Sequence, residues 1–348
     1  TCAVHSLADG EVRLLGAVSV VTGAMTRVDQ SGCKLLVDCG VPQGRDALGW
    51  SLPPEALDVD AVLLTHGHQD HIGALPALLD AGYTGPIYAT AATLSVARIA
   101  LEDSLGVTGA SDAETRRFLQ AFGRQARAVG YGKLLPLVDG RELTARFVEA
   151  GHILGSASVD LVGPRSRVIL SGDLGRPQSP ILRDPNTTWA SGRPVDLVVC
   201  ECTYGNRDHA HDAASIEREL GAAIKDTLAA RGKVIIPSFA IGRTQMLLYY
   251  LDGLFSSGAI PPVTVALDTP LGLAITETYD KYRPLFDKET LTRLEEGDDP
   301  LDWEGLFSVE RGRDSYRLVD DPGPYIVIAG SGMCQGGRIM RHLAAGLG

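Results

Sequence analysis

The sequence predicts an α/β protein of two domains, and three observations carry that expectation. The chain has 348 residues, about two domains at roughly 150 residues each. To about residue 200 it reads as short strands closed by turns, and after about residue 205 as strand–helix alternation. At 45% hydrophobic and 22% charged residues, the composition excludes a disordered tail, a coiled coil and a fibrous repeat. The expected domains are therefore residues 1–204 and 205–348.

The elements follow in order. EVRLLGAVSVVTGAM, CKLLVDCG and DAVLLTHG are rich in Val and Leu and read as strands. HIGALPALLDAG then reads as helical, GPIYAT as a short strand, and AATLSVARIALEDS and DAETRRFLQAFGRQARAV as helices. Strands return with ELTARFVEA, ASVDLVG, SRVILSGD and VDLVVCECT. The polar, turn-rich segment TYGNRDHAHDA marks the domain boundary. Beyond it, Ile216, Leu220, Ile224 and Leu228 form one apolar helical stripe. KVIIPSF, GRTQMLLYYLDGL, TVALDTP and YIVIAGS continue the alternation, which implies a parallel sheet flanked by helices. EEGDDPLDWEG (295–305) reads as an acidic, solvated loop.

No apolar run approaches the ~18 residues needed to cross a bilayer. The start, TCAVHSLADGEVRLL, lacks the basic and apolar regions of a signal peptide. It opens on Thr1 rather than Met, so trimmed first residues are expected. The six cysteines show no C-x-x-C pair and read as reduced core thiols of a cytoplasmic protein. The 32 Lys and Arg against 43 Asp and Glu give a formal charge of −11, which disfavours generic nucleic-acid binding because phosphate contact is mostly electrostatic. Bound divalent ions would offset part of that charge.

The chemistry concentrates in THGHQDHIG, an H-x-H-x-D-H cluster at His66, His68, Asp70 and His71 just past a strand end. A turn there aims side chains at two neighbouring points, His66 and His68 at one metal, Asp70 and His71 at another. Imidazole nitrogen with carboxylate oxygen is a zinc-type ligand set. EAGHILGSAS adds His152 and VILSGDLG adds Asp173, each at a strand end. Either alone would pass for a structural residue, but together they supply what a dinuclear site still lacks. His152 would be the third imidazole of the first metal, and Asp173 could bridge two ions ~3.5–4 Å apart. Asp38, in LVDCG, could orient a ligand histidine from behind, although a turn role is its rival. In PSFAIGRTQ (237–245) a strand turns into a helix, so backbone N–H groups with Ser238, Gly242 and Arg243 could hold a phosphate. GSGMCQGGR repeats this with Ser331 and Gly332, and Arg338 as a further donor.

H-x-H-x-D-H, then A-G-H-x-x-G-S, then S-G-D-x-G resembles a metallo-β-lactamase-fold hydrolase. ECTYGNR (Glu201, Thr203, Tyr204, Gly205), PSFAIGRTQ, LDTPLG and GSGMCQGG resemble stretches of the β-CASP nucleases, the RNA 3′-end-processing and RNase J-like group. The resemblance implies an αββα sandwich with an inserted β-CASP domain having a parallel sheet flanked by helices. It implies two Zn2+ ions, one on His66, His68 and His152, the other on Asp70 and His71, with Asp173 bridging. It further implies hydrolysis of single-stranded RNA, or DNA in one branch, through a metal-activated hydroxide, by endo- or 5′-exonucleolytic action. Asp70, Asp173 and Glu201 are the implied catalytic acids, and a homodimer follows family habit. The family supplies two more histidines after the β-CASP domain, and the returning part of the lactamase fold, which the sequence up to Gly348 does not contain. His342 matches neither histidine, and His5, His209 and His211 read as surface or loop residues. A glyoxalase II or lactamase-like thioester or lactone hydrolase is the rival enzyme reading. A catalytically impaired RNA-binding or scaffold subunit is the rival outside enzymes.

Overall fold

The structure is a computed structural model and describes residues 3–189, 192–208 and 213–346. The chain divides into two compact units at 177/178, 183/184 and 206/207. The short segment Gln178–Arg183 thus belongs with the second unit, which a single cut near residue 205 does not capture. His209 and His211 lie outside the described residues.

The first unit holds two sheets. One contains β1 (Ala3–Leu7), β2 (Gly10–Leu14), β3 (Thr26–Gln30), β4 (Cys33–Val37), β5 (Ala61–Leu63), β6 (Ile87–Thr90) and β7 (Ala126–Val129), adjacent in that order. Pairing is antiparallel from β1 to β4 and parallel from β4 to β7. The parallel half needs crossovers, supplied by α1 (Gln69–Ile72) and α2 (Leu75–Asp80) before β6, and by α3 (Ala91–Val107) and α4 (Asp112–Gln125) before β7. The other sheet contains β8 (Leu134–Pro136), β9 (Thr144–Glu149), β10 (Ala157–Val162), β11 (Arg167–Leu170) and β12 (Leu197–Val199), in the order β12-β11-β10-β9-β8.

The two sheets share one core. Val28, Leu35, Val37 and Leu63 meet Phe147, Val159, Leu161 and Leu170, all nearly or fully buried. The period-2 alternation of a strand sends Leu36 and Val62 to the opposite face, where they are also fully buried. Each such side chain contributes roughly 1.5–3 kcal/mol relative to an exposed one.

The second unit is a parallel α/β layer. After α5 (Ala213–Ala229) come β13 (Val234–Pro237), α6 (Arg243–Ser256), β14 (Val265–Asp268), α7 (Pro270–Lys281), α8 (Lys288–Glu295), β15 (Leu306–Ser308), α9 (Gly312–Asp320), β16 (Ile326–Ala329) and α10 (Ile339–Gly346). The strands lie in the order β13-β16-β14-β15, every pair parallel. Asp268, wholly buried at the end of β14, accepts hydrogen bonds from Arg338 Nη1 (2.7 Å), Ser315 Oγ (2.6 Å) and His342 Nε2 (2.7 Å). His342 is thereby a buried structural histidine.

Four local expectations change. The strand expected across EVRLLGAVSVVTGAM stops at Leu14. Ala17 and Ser19 at φ 54° and 63° cannot continue a pleat, leaving Val20 and Val21 exposed in a loop. β3 has no apolar alternation because its buried Arg27 is satisfied by Asp29 (2.9 Å) and the Glu55 carbonyl (2.6 Å). The helix expected through Val129 ends at Gln125, where β7 begins to pair with β6. The acidic stretch is not simply solvated, since Asp298 pairs with Arg293 (2.7 Å) and Asp299 with Arg283 (2.6 Å). Of the thiols, Cys33 and Cys39 are buried, whereas Cys200 and Cys202 are exposed beside the edge strand β12. No helix among the described residues is long and apolar enough to cross a membrane.

Candidate metal centre

Strand ends of the first unit deliver the ligands to one place. The chain leaves β5 through Leu64 and Thr65, places His66 and His68 in the turn, and enters α1. His152 follows β9 in a loop closed by Ser156, whose hydroxyl accepts from the His152 and Ile153 amides at 3.0 and 3.3 Å. Asp173 follows β11, after a glycine with a specific reason to be one. Gly172 sits at φ 57°, and a Cβ there would come within 2.6 Å of the Thr65 side chain.

Candidate ligand atoms of His66, His68, His152 and Asp173 lie within 4.8 Å of one another. His66 Nε2 and His152 Nε2 stand 3.1 and 3.2 Å from His68 Nδ1. Asp173 Oδ2 is 3.8 Å from His66 Nε2 and 3.5 Å from His152 Nε2. Zinc–ligand bonds of ~2.0–2.1 Å in a tetrahedron place donor atoms ~3.3 Å apart. Ring nitrogens converging this closely suit a shared cation, and the donor set therefore fits a divalent metal.

The protonation pattern agrees. The Thr65 hydroxyl donates to Asp38 Oδ2 at 2.8 Å and stands 3.1 Å from His66 Nδ1. Its proton being committed, it accepts from His66 Nδ1–H, which leaves the Nε2 lone pair facing the centre. Burial, reinforced by the neighbouring imidazoles, holds the His66 pKa well below its ordinary value, so this ring stays neutral and ligand-competent.

His71 faces the other carboxylate oxygen, with Nε2 3.2 Å from Asp173 Oδ1 and Nδ1 2.7 Å from Asp38 Oδ2. Burial alone would lower its pKa, but Asp38 and Asp173 outweigh burial and raise it well above the ordinary value. Asp70, half-buried in the first turn of α1, stands outside the four-residue group.

Asp38 is the hub behind the ligands, buried and taking the Thr65 amide (2.7 Å), the Thr65 hydroxyl and His71. Outer partners of this kind typically set metal affinity within 10–100-fold. We expect Asp38→Ala to weaken metal binding and activity by about that factor, read by competitive metal titration. Unchanged affinity would refute the orienting role.

Thr65, Ser156 and Ser171 were not foreseen as site residues. Their signal is a small hydroxyl beside each ligand, in THGH, GHILGS and SGD. Ser171 Oγ accepts the Glu201 amide at 3.0 Å. The Glu201 carboxylate accepts from Thr203 N (2.9 Å) and Leu174 N (3.5 Å), tying the segment after β12 to the Asp173 loop. A cleft of about 420 Å³ opens over His71 and Asp173, walled by the loop carrying Val20 and Val21 and by Val199–Thr203.

The candidate phosphate residues lie in the second unit, after the adjacent strands β13 and β16. Two of them turn inward. Ser238 is buried and hydrogen-bonded to Phe239 O and Thr244 Oγ1, both at 3.1 Å, and Gly242 N donates to Gln245 Oε1 at 2.8 Å. The tight turn consumes those donors itself. Ser331 Oγ likewise meets Gln335 N and Gly336 O, at 3.3 and 3.4 Å, and Gly332 abuts Phe239. Arg243 is exposed.

Comparison with known proteins agrees with this architecture. The metallo-beta-lactamase superfamily model matches residues 19–226, more than half of the chain. The chain belongs to the metallo-β-lactamase superfamily. This superfamily member also matches the Beta-Casp domain over residues 244–348. It is 38% identical to "Ribonuclease TTHA0252" of Thermus thermophilus over 95% of this chain and 75% of that protein. It is 29% identical to "Transcription termination factor FttA" of Methanosarcina mazei over 96% of this chain and 53% of that factor. An "RNase J-like protein" of Methanocaldococcus jannaschii is 28% identical over 94% of this chain and 73% of its own length. The chain thus spans about half of the termination factor it matches. A solved protein of unknown function from Enterococcus faecalis V583 shares the fold at a TM-score of 0.50 and 12% identity, over 93% of this chain and 78% of that one.

Proposed function

We propose that this chain is a zinc-dependent ribonuclease that hydrolyses phosphodiester bonds of single-stranded RNA. The observation that carries the reading is the convergence of His66 Nε2, His68 Nδ1, His152 Nε2 and Asp173 Oδ2 at metal-ligand spacing. Three imidazoles and a carboxylate suit zinc better than the oxygen-preferring magnesium or calcium. A second ion would be held by Asp70, Asp173 and His71, the last giving up the proton that Asp38 and Asp173 stabilise on it. The RNA substrate is supported by the names of the ribonuclease and RNase J-like relatives.

Metal held here supplies Lewis-acid charge for the phosphate and a lowered pKa for attacking water. The chain's own residues do the rest. Thr65 keeps the His66 lone pair aimed inward, Asp38 fixes the His71 ring, and Glu201 fixes the loop that forms one cleft wall. The test is cleavage of end-labelled single-stranded RNA beside matched DNA, with and without chelator, and with zinc read on the same sample. Chelator-sensitive cutting of RNA and about two zinc ions per chain are expected. Cutting that survives complete metal removal would overturn the proposal, and preference for DNA would overturn its substrate.

A further inference from the structure

Two large apolar side chains stand exposed where neighbouring strands of the second unit end. Phe239, two residues past β13, is 53% exposed, and Met333, four past β16, is 63% exposed. The two strands are in register at Pro237 and Ala329. Such carboxyl ends are where open parallel α/β sheets bind ligands.

Phe239 is exposed but not loose. Its carbonyl accepts from Thr244 N (3.2 Å), Thr244 Oγ1 (2.8 Å) and Ser238 Oγ (3.1 Å). Its ring rests against Gly332, where an added Cβ would lie 2.9 Å from the ring carbon Cδ2. The glycine therefore makes room for the ring. Arg243, four residues on, is exposed at the start of α6. An exposed aromatic ring followed within one turn by an exposed cation matches one nucleotide, with the base on the ring and its phosphate on the guanidinium. A stable protein interface buries roughly 800 Å² per partner, far more than two side chains provide.

We infer that Phe239 is a platform on which one unpaired RNA base stacks, flanked by Met333, with Arg243 drawing the adjacent phosphate. This rests on the ribonuclease reading and adds where the second unit grips the strand. The turn's own hydrogen bonds consume Ser238 and Gly242, so the grip comes from stacking rather than from those donors.

The test measures binding of a short end-labelled single-stranded RNA to the full chain, with chelator present to prevent cutting. Phe239→Ala is expected to weaken binding about 5- to 100-fold, and Phe239→Trp to preserve it. Gly332→Ala should act like Phe239→Ala by displacing the ring, and the two should not add. The same RNA is then made abasic one position at a time. One position should reproduce the loss in the unmodified chain, and there Phe239→Ala should cost nothing further. These abasic RNAs test the platform on the unmodified chain even where a variant folds poorly. Phe239→Ala binding like the unmodified chain, or a loss that persists at every abasic position, would overturn the platform. So would a variant altered only in self-association. Failure of the unmodified chain to bind RNA would take down the ribonuclease reading, and the platform with it.

Discussion

His68→Ala is expected to lose bound metal and RNA cleavage together, leaving a folded protein. His68 Nδ1 is the atom that both other imidazoles approach, at 3.1 and 3.2 Å, so its removal takes one donor from the four-residue group that would hold the metal. Loss of a partner one step removed from a metal typically costs 10–100-fold in affinity, and a direct ligand costs more. The fold should survive, because His68 stands half-buried at the start of α1 and its side chain does not cap that helix. Elemental analysis, single-turnover RNA cleavage and circular dichroism on one preparation would check all three points. Retained cleavage at normal metal content would sink the assignment of the centre.

The largest expected effect on stability lies far from that chemistry in sequence. Asp268→Ala should destabilise the second unit by about 3–5 kcal/mol, the usual consequence of removing one partner from a buried ion pair. Arg338, Ser315 and His342 all donate to this carboxylate; alanine would leave Ser315 and His342 without this acceptor in the interior, and Arg338 with only the Val309 and Glu310 carbonyls. Urea unfolding followed by circular dichroism measures the shift, and a loss below about 1 kcal/mol would refute the hub role. The same group sets an acid limit. Burial alone would raise its pKa, but the hydrogen bonds from His342, Ser315 and Arg338 hold it below the ordinary 3.8. Its stabilising contribution is therefore complete above the unfolded value and disappears as pH falls through the lower folded value.

The candidate metal cluster was legible because its residues sit just past strand ends, where chemistry-bearing residues stand out. His66 and His68 follow the apolar β5 and Asp173 follows β11, whereas His152 follows the alternating β9. The parallel sheet of the second unit was legible because its strands are short, mostly apolar and separated by helical stripes. What escaped were features that depend on partners distant in sequence. Arg27 and Gln30 are buried in β3 only because Glu55 and Ser166 accept their protons, at 2.6 and 2.8 Å. His342 looked incidental in its helix because its partner Asp268 lies 74 positions earlier. The inward turn of Ser238 depends on Thr244, which a strand–Gly–helix pattern does not reveal.

The backbone of Asp38 sits at φ 61°, a left-handed conformation that costs a non-glycine residue about 1–3 kcal/mol. Glycine would adopt it freely, and would also remove the carboxylate that holds Thr65 and His71. Position 38 is therefore a place where backbone conformation favours one residue and buried hydrogen bonding favours another, and the hydrogen bonds carry the larger energy. Laboratory evolution under heat and evolution under metal limitation should therefore both keep aspartate there, because three buried donors would otherwise lose their acceptor.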